Sequence, residues 1–288
     1  MTMPSGIPVI ETFLGFPSKN RKDVYKFLDP HLRDEESKGF SFPAQYMFKD
    51  VPAELEDNVD PVAIVVDNLD RFGIERGMIS VGPGKDDAER AISEYPDRFI
   101  GSLAVDPNDG MDAVRAISAA HETYNIKAVT TFPAGAQVAI NDKKYFPIYS
   151  KCCELGIPIF SCAGIPGPRV PMEPQRVEHI DEVCWFFPEL TFVTRHGCEP
   201  WTDLAVKLMI KWPNLYYSTS AFAPKHYPKA IVDYANTRGA DKILYAGYFP
   251  AGLTYDRIWS EMPNVGFNDD VWPKFLRENA LRVLKLDQ

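Results

Sequence analysis

The chain has 288 residues, of which 45% are hydrophobic and 12% aromatic, which is ample for one extensive core. Its formal net charge of −9 argues against a nucleic-acid partner, because neutralising phosphates requires basic patches. No apolar run approaches the roughly 18 residues that a membrane-spanning helix needs. The N-terminal segment lacks the basic and apolar regions of a signal peptide, and five cysteines are an odd number for a disulfide framework. We therefore expect a reduced, cytoplasmic protein without a membrane partner.

Short apolar, β-branched runs alternate with longer amphipathic segments along the chain, which is typical of parallel strands joined by helices. Eight runs predict strands, the number that a (β/α)₈ TIM barrel requires, and we expect one such domain over residues 1–288. The strand count alone would also allow a doubly wound sheet. The predicted strands are 9–13, 76–80, 100–104, 128–131, 157–161, 191–194, 215–218 and 243–246.

Between the predicted strands, apolar residues recur at helical spacing. The segments with this spacing are 60–72, 111–122, 145–155, 173–187, 202–210, 225–236 and 272–284. Residues 16–58 do not follow the alternation, because they are polar, aromatic and rich in lysine and aspartate. In a barrel they form an insertion after the first strand, on the face where active sites lie. The sequence leaves open whether this insertion is a surface loop or a lid, and whether it covers this chain's own pocket or grips a partner.

Several strand ends resemble motifs of the amidohydrolase-related family. Residues 8–15, Pro-Val-Ile-Glu-Thr-Phe-Leu-Gly, resemble its first strand, where the family pattern reads Ile-Asp-x-His-x-His. Residues 157–164 and 243–250 resemble the strands that end in a ligand histidine and in a metal-binding aspartate. Residues 95–107 and 212–220 are similar to segments around its third and seventh strands. The resemblance implies an amidohydrolase-type barrel, in a family of metal hydrolases and nonoxidative decarboxylases of small carboxylated molecules.

Most of the metal ligands of that family are replaced in this chain. Phe13 and Gly15 stand at the two imidazole positions of the first strand, and Cys162 stands at a third. Tyr248 takes the place of the aspartate that binds metal and moves protons. Only His196 is retained at a matching position. The resemblance therefore implies a degenerate member, and we assign no metal ligand in this chain.

A single imidazole cannot hold a catalytic metal ion alone, so we interpret His196 as a structural residue that is hydrogen-bonded to a neighbouring side chain. Phe13 and Tyr248 are expected to fill the emptied metal position and, together with Arg195, to line a substrate pocket. Cys162 and His196 follow consecutive strands, so they could also form a thiolate–imidazole pair, as in cysteine hydrolases. Cys198 is a similar candidate, and its loop position suggests that it is more exposed than Cys162.

Glu11 matches the position of the family's metal-binding aspartate, with one extra methylene. A buried carboxylate is costly unless it has a partner. The partner is either a cation, for which Arg195 and Lys127 are the candidates, or a hydrogen-bond donor. The sequence does not decide between them.

Three functions remain open. The first is a catalytically degenerate subunit that supports a related, paralogous metal-containing subunit, because the family resemblance includes two-subunit oxygenases of this kind. It implies no cofactor in this chain, a divalent ion (Fe, Mn or Zn) in the partner, and hydroxylation of a small amino acid or hydrolysis. The alternative is a metal-independent hydrolase or decarboxylase of a small carboxylated substrate that uses Cys162, His196 and Glu11 as catalytic residues. The third is a binding module that holds a small acidic ligand against Arg195 or Arg169.

Overall fold

The computed structural model describes residues 3–49 and 51–286. Its centre is a sheet of eight parallel strands, in which each strand is hydrogen-bonded to the next strand in chain order. All eight predicted strands are confirmed to within two residues at each end. The strands are β1 Val9–Glu11, β2 Ile74–Val81, β3 Phe99–Ala104, β4 Ala128–Thr131, β5 Ile159–Cys162, β6 Phe192–Arg195, β7 Leu215–Ser218 and β8 Ile243–Leu244.

Hydrogen bonds also join the segments that follow the first and last strands. The backbone N–H and the hydroxyl of Thr12 donate to the carbonyl oxygen of Tyr245, at 3.4 Å and 2.7 Å. The N–H of Gly15 donates to the carbonyl oxygen of Phe249 at 3.1 Å. The sheet therefore curls round on itself into a TIM-barrel-like fold, and the carboxyl ends of its strands meet at one face.

Alternate side chains of the strands point to the inner face of this curled sheet, because side chains along a strand alternate between its two faces. The side chains of the other set pack between the sheet and the surrounding helices and form the larger part of the core. The inner cluster consists of Ile10, Met78, Ile100, Ala128, Phe160, Val193 and Leu244, together with residues of the last helix.

Four predicted helices, at 60–72, 111–122, 145–155 and 202–210, are confirmed. The predicted helix 173–187 is divided into a 3₁₀ turn, Glu173–Gln175, and a helix, His179–Phe186. The helix predicted from residue 225 begins at Lys229, directly after Pro228, which lacks the N–H that an interior helical position needs. The α-helices are Arg21–Val24, Glu35–Gly39, Pro61–Arg71, Asp86–Glu94, Met111–Tyr124, Pro133–Ala136, Phe146–Leu155, His179–Phe186, Thr202–Lys211, Lys229–Tyr234, Tyr255–Glu261, Val271–Pro273 and Asn279–Leu284.

Single turns of other helix types complete the secondary structure. The π-helical turns Ala235–Gly239 and Lys274–Glu278 continue two of the α-helices. The remaining 3₁₀ segments are Lys26–His31, Gln45–Met47, Pro107–Asp109, Pro224–His226, Ala240–Lys242 and Met262–Asn264. Across residues 3–49 and 51–286, no helix is both long and apolar enough to cross a membrane.

Candidate functional site

Three rings meet at the carboxyl face of the sheet. Phe13, His196 and Tyr248 follow β1, β6 and β8, and each ring contacts the other two. The ring centroids are 4.9 Å apart for Phe13 and Tyr248, 5.2 Å for His196 and Tyr248, and 5.4 Å for Phe13 and His196. We call these three residues the aromatic cluster. The structure thus brings Phe13 and Tyr248 together beside His196, where the sequence places the lost metal position.

His196 is held by Ser220, which follows β7. The backbone N–H of His196 donates to Ser220 Oγ at 3.2 Å, and the same oxygen lies 3.0 Å from His196 Nδ1. Because the hydroxyl accepts from the backbone, its own proton is available to Nδ1. Burial, with a smaller contribution from the positive charge of Arg195, lowers the pKa of His196 to about 3. His196 is therefore a neutral imidazole with one ring nitrogen already engaged.

The backbone at two of the cluster residues is in the left-handed region. The φ angle is 65° at His196 and 72° at Tyr248. Residues with a Cβ seldom adopt this conformation, because it is strained and persists only where the surrounding structure holds it. Residues with such a backbone cluster at functional sites. The chain thus turns sharply after both strands, at the residues whose rings form the cluster.

Arg195 lies next to the aromatic cluster. Its guanidinium carbon is 4.4 Å from the ring centroid of Phe13 and 5.7 Å from that of Phe160. The residue is 9% exposed, and its Nε is buried without a hydrogen-bond partner. Burial lowers the pKa of Arg195 to about 10, so the side chain is still charged at neutral pH. Arg195 is thus a buried cation at the predicted pocket.

Cys162 pairs with Arg195 in the register of β5 and β6. Burial raises the pKa of its thiol to about 12, so the thiolate that a nucleophile requires is scarce at neutral pH. The Nδ1 of His196 is engaged by Ser220 and not by this thiol. The alternative of a thiolate–imidazole pair therefore finds no support in the described part of the chain.

The prediction that Cys198 is more exposed than Cys162 is wrong. Cys198 is 0% exposed and Cys162 is 4% exposed. The loop after β6 packs against the loop after β5, and the N–H of Cys198 donates to the carbonyl oxygen of Ala163 at 3.2 Å. Burial raises the pKa of Cys198 to about 12 as well, so neither thiol is activated.

Glu11 is fully buried, and its carboxyl is held by hydrogen-bond donors. Its two oxygens accept from the N–H of Gly247 at 2.8 Å and 2.9 Å, and one also accepts from the N–H of Phe13 at 2.9 Å. The Tyr255 hydroxyl lies 3.3 Å from the other oxygen. Burial nevertheless dominates and raises the pKa of Glu11 from 4.5 to about 7.

The cation partners suggested for Glu11 are therefore wrong. Lys127 is bonded to the side chain of Asn125 instead, and the Arg195 side chain forms no ion pair with a described residue. Glu11 does not pair with Arg195 because the two side chains lie on opposite faces of the sheet. Ile10 belongs to the inner cluster, and Glu11, the next residue on the strand, points to the other face. The structure does not gather Glu11, Cys162 and His196 into one catalytic group.

Residues 42–48 of the predicted insertion lie against the aromatic cluster. The ring of Phe48 stacks on that of Tyr248, with centroids 5.9 Å apart, and Phe42 lies 6.3 Å from the same ring. This part of the insertion therefore contacts the chain's own carboxyl face. Its aromatic residues at 40–48 are the sequence signal that could have identified this contact.

Arg169, in the loop after β5, fastens the insertion. Its Nη1 is 2.9 Å from Asp34 Oδ1 and 2.7 Å from Glu36 Oε2, and its guanidinium lies 4.8 Å from the ring centroid of Tyr46. The suggestion that Arg169 holds an acidic ligand is at odds with this arrangement, because two carboxylates of the protein already occupy it.

The donor set around the cluster does not fit a divalent metal ion. Phe13 and Gly15 carry no donor atom, the Cys162 thiol is protonated, and burial raises the pKa of the Tyr248 phenol well above its ordinary value. Within residues 3–49 and 51–286, no three side chains of His, Cys, Asp or Glu are grouped so that they could hold a metal. A catalytic zinc site, in contrast, needs three protein ligands and an open position.

Comparison with known proteins gives both a family and a fold. Residues 29–286 match the model of a family described as amidohydrolase. A similar solved structure is that of an uncharacterised TIM-barrel protein from Bordetella bronchiseptica, which is 22% identical with a TM-score of 0.72, over 96% of this chain and 98% of that chain. No curated protein matches the sequence.

Two further similar structures are those of decarboxylases. One is 5-carboxyvanillate decarboxylase from Novosphingobium aromaticivorans, complexed with manganese and 4-hydroxy-3-methoxy-5-nitrobenzoic acid, at 18% identity and a TM-score of 0.70 over 97% of this chain and 96% of that chain. The other is 2,6-dihydroxybenzoate decarboxylase from Rhizobium, at 14% identity and a TM-score of 0.66 over 98% of this chain and 100% of that chain. At these identities the likeness shows the fold alone.

Proposed function

We propose that this chain, which belongs to the amidohydrolase family, is a catalytically degenerate member that supports a related, metal-containing subunit. The aromatic cluster carries the proposal, because Phe13, His196 and Tyr248 contact one another where the family motif places its metal ligands. Aromatic pairs at these distances each contribute about 0.5–1.5 kcal/mol beyond burial. A metal ion at this position would require the rings to separate and would lose those contacts.

In this proposal the sheet is a closed (β/α)₈ barrel whose surface pairs with a paralogous barrel. The helix His179–Phe186 exposes 67% of Trp185 and 55% of Phe186, and the next helix, Thr202–Lys211, exposes 45% of Ile210. Exposed apolar side chains on neighbouring elements are common where another protein binds. The partner would hold the divalent ion (Fe, Mn or Zn) and carry out an oxygenase or hydrolase reaction on a small molecule, such as hydroxylation of a small amino acid.

A second candidate is a metal-independent decarboxylase or hydrolase of a small carboxylated substrate. The decarboxylase reaction is suggested by the two named neighbours, which are decarboxylases, one of them complexed with manganese; that the reaction needs no metal here rests on the donor set of this chain. In such a decarboxylation the bond to the carboxyl carbon breaks, CO₂ leaves, and the carbon that keeps the electron pair takes a proton. Arg195 would orient the carboxylate. The side-chain geometry favours the first candidate, because Cys162, His196 and Glu11 are not arranged to act together.

Expression of the chain alone and together with a related chain that has the full ligand set tests the first candidate. We expect a metal-loaded hetero-oligomer only upon co-expression, measured by metal analysis and by mass in solution. Two chains that elute separately under all conditions would contradict the support role.

The second candidate is tested with the chain after removal of metal by chelation. CO₂ release from a panel of small carboxylic acids is measured for the wild type, for Cys162→Ala and for Cys184→Ala. Cys184 is a matched control because it is equally buried but lies on the helix His179–Phe186, away from the cluster. Turnover that is lost in Cys162→Ala and kept in Cys184→Ala would support the metal-independent enzyme. Absence of CO₂ release from every acid would rule out the decarboxylase for that panel.

A further inference from the structure

We propose that Arg195 is the centre of a binding site for a planar, singly charged oxyanion, either the carboxylate of a small acid or bicarbonate. The site lies on the inner face of the sheet, beside the aromatic cluster. It does not depend on which of the two functions above is correct, because it requires neither turnover nor a partner subunit.

The position of Arg195 on the inner face follows from the strand register. Cys162 and Arg195 are paired across β5 and β6, and each stands two residues after a member of the inner cluster, Phe160 and Val193. Side chains two residues apart on a strand share a face. The 5.7 Å distance from the guanidinium carbon to the ring centroid of Phe160 confirms this placement.

Among residues 3–49 and 51–286, no anionic side chain is in contact with this cation. Cys162 is a protonated thiol, and the carboxyl of Glu11 is committed to donors on the opposite face. Within the described residues, the Arg195 side chain has neither a hydrogen bond nor an ion pair, and its Nε is buried without a partner. Placing a charge in such an environment is unfavourable unless an opposite charge and hydrogen bonds compensate for the lost hydration. A bound anion would supply both.

A second unpartnered donor stands beside the first. The register of β6 and β7 pairs Thr194 with Tyr217, so Ser218 is the neighbour of Arg195 on the adjacent strand. Tyr216 packs against the inner cluster, and Ser218, two residues later, therefore faces inward too. Ser218 is 0% exposed, and its Oγ has no hydrogen-bond partner. Two unpartnered polar groups thus lie on neighbouring strands of the same inner face.

The geometry selects a planar oxyanion. The guanidinium carbon lies 4.4 Å from the ring centroid of Phe13, so that ring blocks one face and a ligand would bind along the edge that carries the N–H groups. Guanidinium edges bind carboxylates through two parallel hydrogen bonds, which a spherical anion such as chloride cannot form. A doubly charged anion such as sulfate would leave one buried negative charge without a partner. The Ser218 hydroxyl would add a third hydrogen bond to the same ligand. Because Arg195 and Ser218 are both buried, the low local dielectric would strengthen all three.

Anion binding by the full chain tests the proposal, with sodium formate and sodium bicarbonate as probes and sodium chloride and sodium sulfate at matched ionic strength as controls. Calorimetry and thermal unfolding are recorded for the wild type, Arg195→Gln, Ser218→Ala and the control Arg115→Gln. Arg115 is an exposed helical arginine paired with Asp112. We expect formate or bicarbonate, but not the controls, to bind and to raise the unfolding temperature of the wild type. Binding by formate alone assigns the site to organic carboxylates, and binding by bicarbonate alone assigns it to the inorganic ion. Either result supports the proposed site.

Arg195→Gln should weaken this binding by about tenfold or more, because a charge-assisted bidentate contact is lost, whereas Arg115→Gln should leave it unchanged. Ser218→Ala should weaken it by about threefold to tenfold, as expected for one hydrogen bond. Equal affinity in Arg195→Gln and wild type would overturn the proposal, as would a wild type that responds alike to all four salts. If Arg195→Gln does not fold, the formate affinities of Ser218→Ala and of the charge-conserving Arg195→Lys are compared with that of the wild type. Unchanged affinity in both variants would also overturn the proposal.

Discussion

Glu11 makes the stability of the folded chain depend on pH. Its carboxyl is fully buried, and burial raises its pKa from 4.5 to about 7. Below the lower value the carboxyl is protonated in both the folded and the unfolded chain. Between the two values the unfolded chain ionises first, so the free energy of unfolding falls as pH rises, and the loss is complete above the folded pKa. At about 1.4 kcal/mol per pKa unit, this difference of roughly 2.5 units corresponds to about 3 kcal/mol.

The substitution Glu11→Gln should remove that dependence while keeping the hydrogen bonds. The amide oxygen can accept from the N–H groups of Phe13 and Gly247, and the amide N–H can donate to the hydroxyl oxygen of Tyr255. The assay is urea unfolding at about pH 4 and about pH 8, with the exposed Glu56→Gln as a matched control. Between these pH values, the wild type and the control should lose about 3 kcal/mol more than Glu11→Gln. An equal pH dependence in all three proteins would refute the reasoning, because Glu11 would then be ionised like a surface carboxyl.

Two further predictions follow from burial and close packing. Iodoacetamide should alkylate Cys162 more slowly than the partly exposed Cys153, because burial raises the pKa of Cys162 to about 12. Peptide mass spectrometry measures both rates, and faster labelling of Cys162 would contradict its burial. Gly247→Ala should lower the free energy of unfolding by about 1–3 kcal/mol, because the new Cβ would collide with the Glu11 carboxyl. In Gly39→Ala, no atom lies within 4 Å of the added Cβ, so the free energy of unfolding should change by less than about 0.5 kcal/mol. Urea unfolding measures both variants, and equal effects of the two substitutions would contradict the packing argument.

The strands could be predicted from the sequence because local composition determines them. Each strand is a short apolar run, and the periodicity changes where a helix begins, so β4 and β7 agree with their predictions at both ends. The contact of Phe13 with Tyr248 was expected from their places in two family motifs. These two motifs stand at the ends of strands that are neighbours in the folded sheet. Recognising the motifs therefore indicates that the two residues are close in space, which periodicity alone does not show.

The partners of the buried polar groups could not be predicted in the same way. The carboxyl of Glu11 accepts from a backbone N–H at Gly247, and any residue other than proline could offer that donor. Ser220 lies within a segment that resembles the family, but its contact with His196 depends on the loop conformation after β7. The loop position of Cys198 predicts that it is more exposed than Cys162, whereas packing between two loops buries it.

The metal content of the purified chain, expressed alone with manganese, iron and zinc supplied in turn, tests most directly whether its site is degenerate. We expect far less than one ion per chain for every metal, and the same content in His196→Ala as in the wild type, because the aromatic cluster takes the place of the ligands. One ion per chain that is lost in His196→Ala would contradict the degenerate site and show that His196 anchors a metal with ligands unlike those of the family.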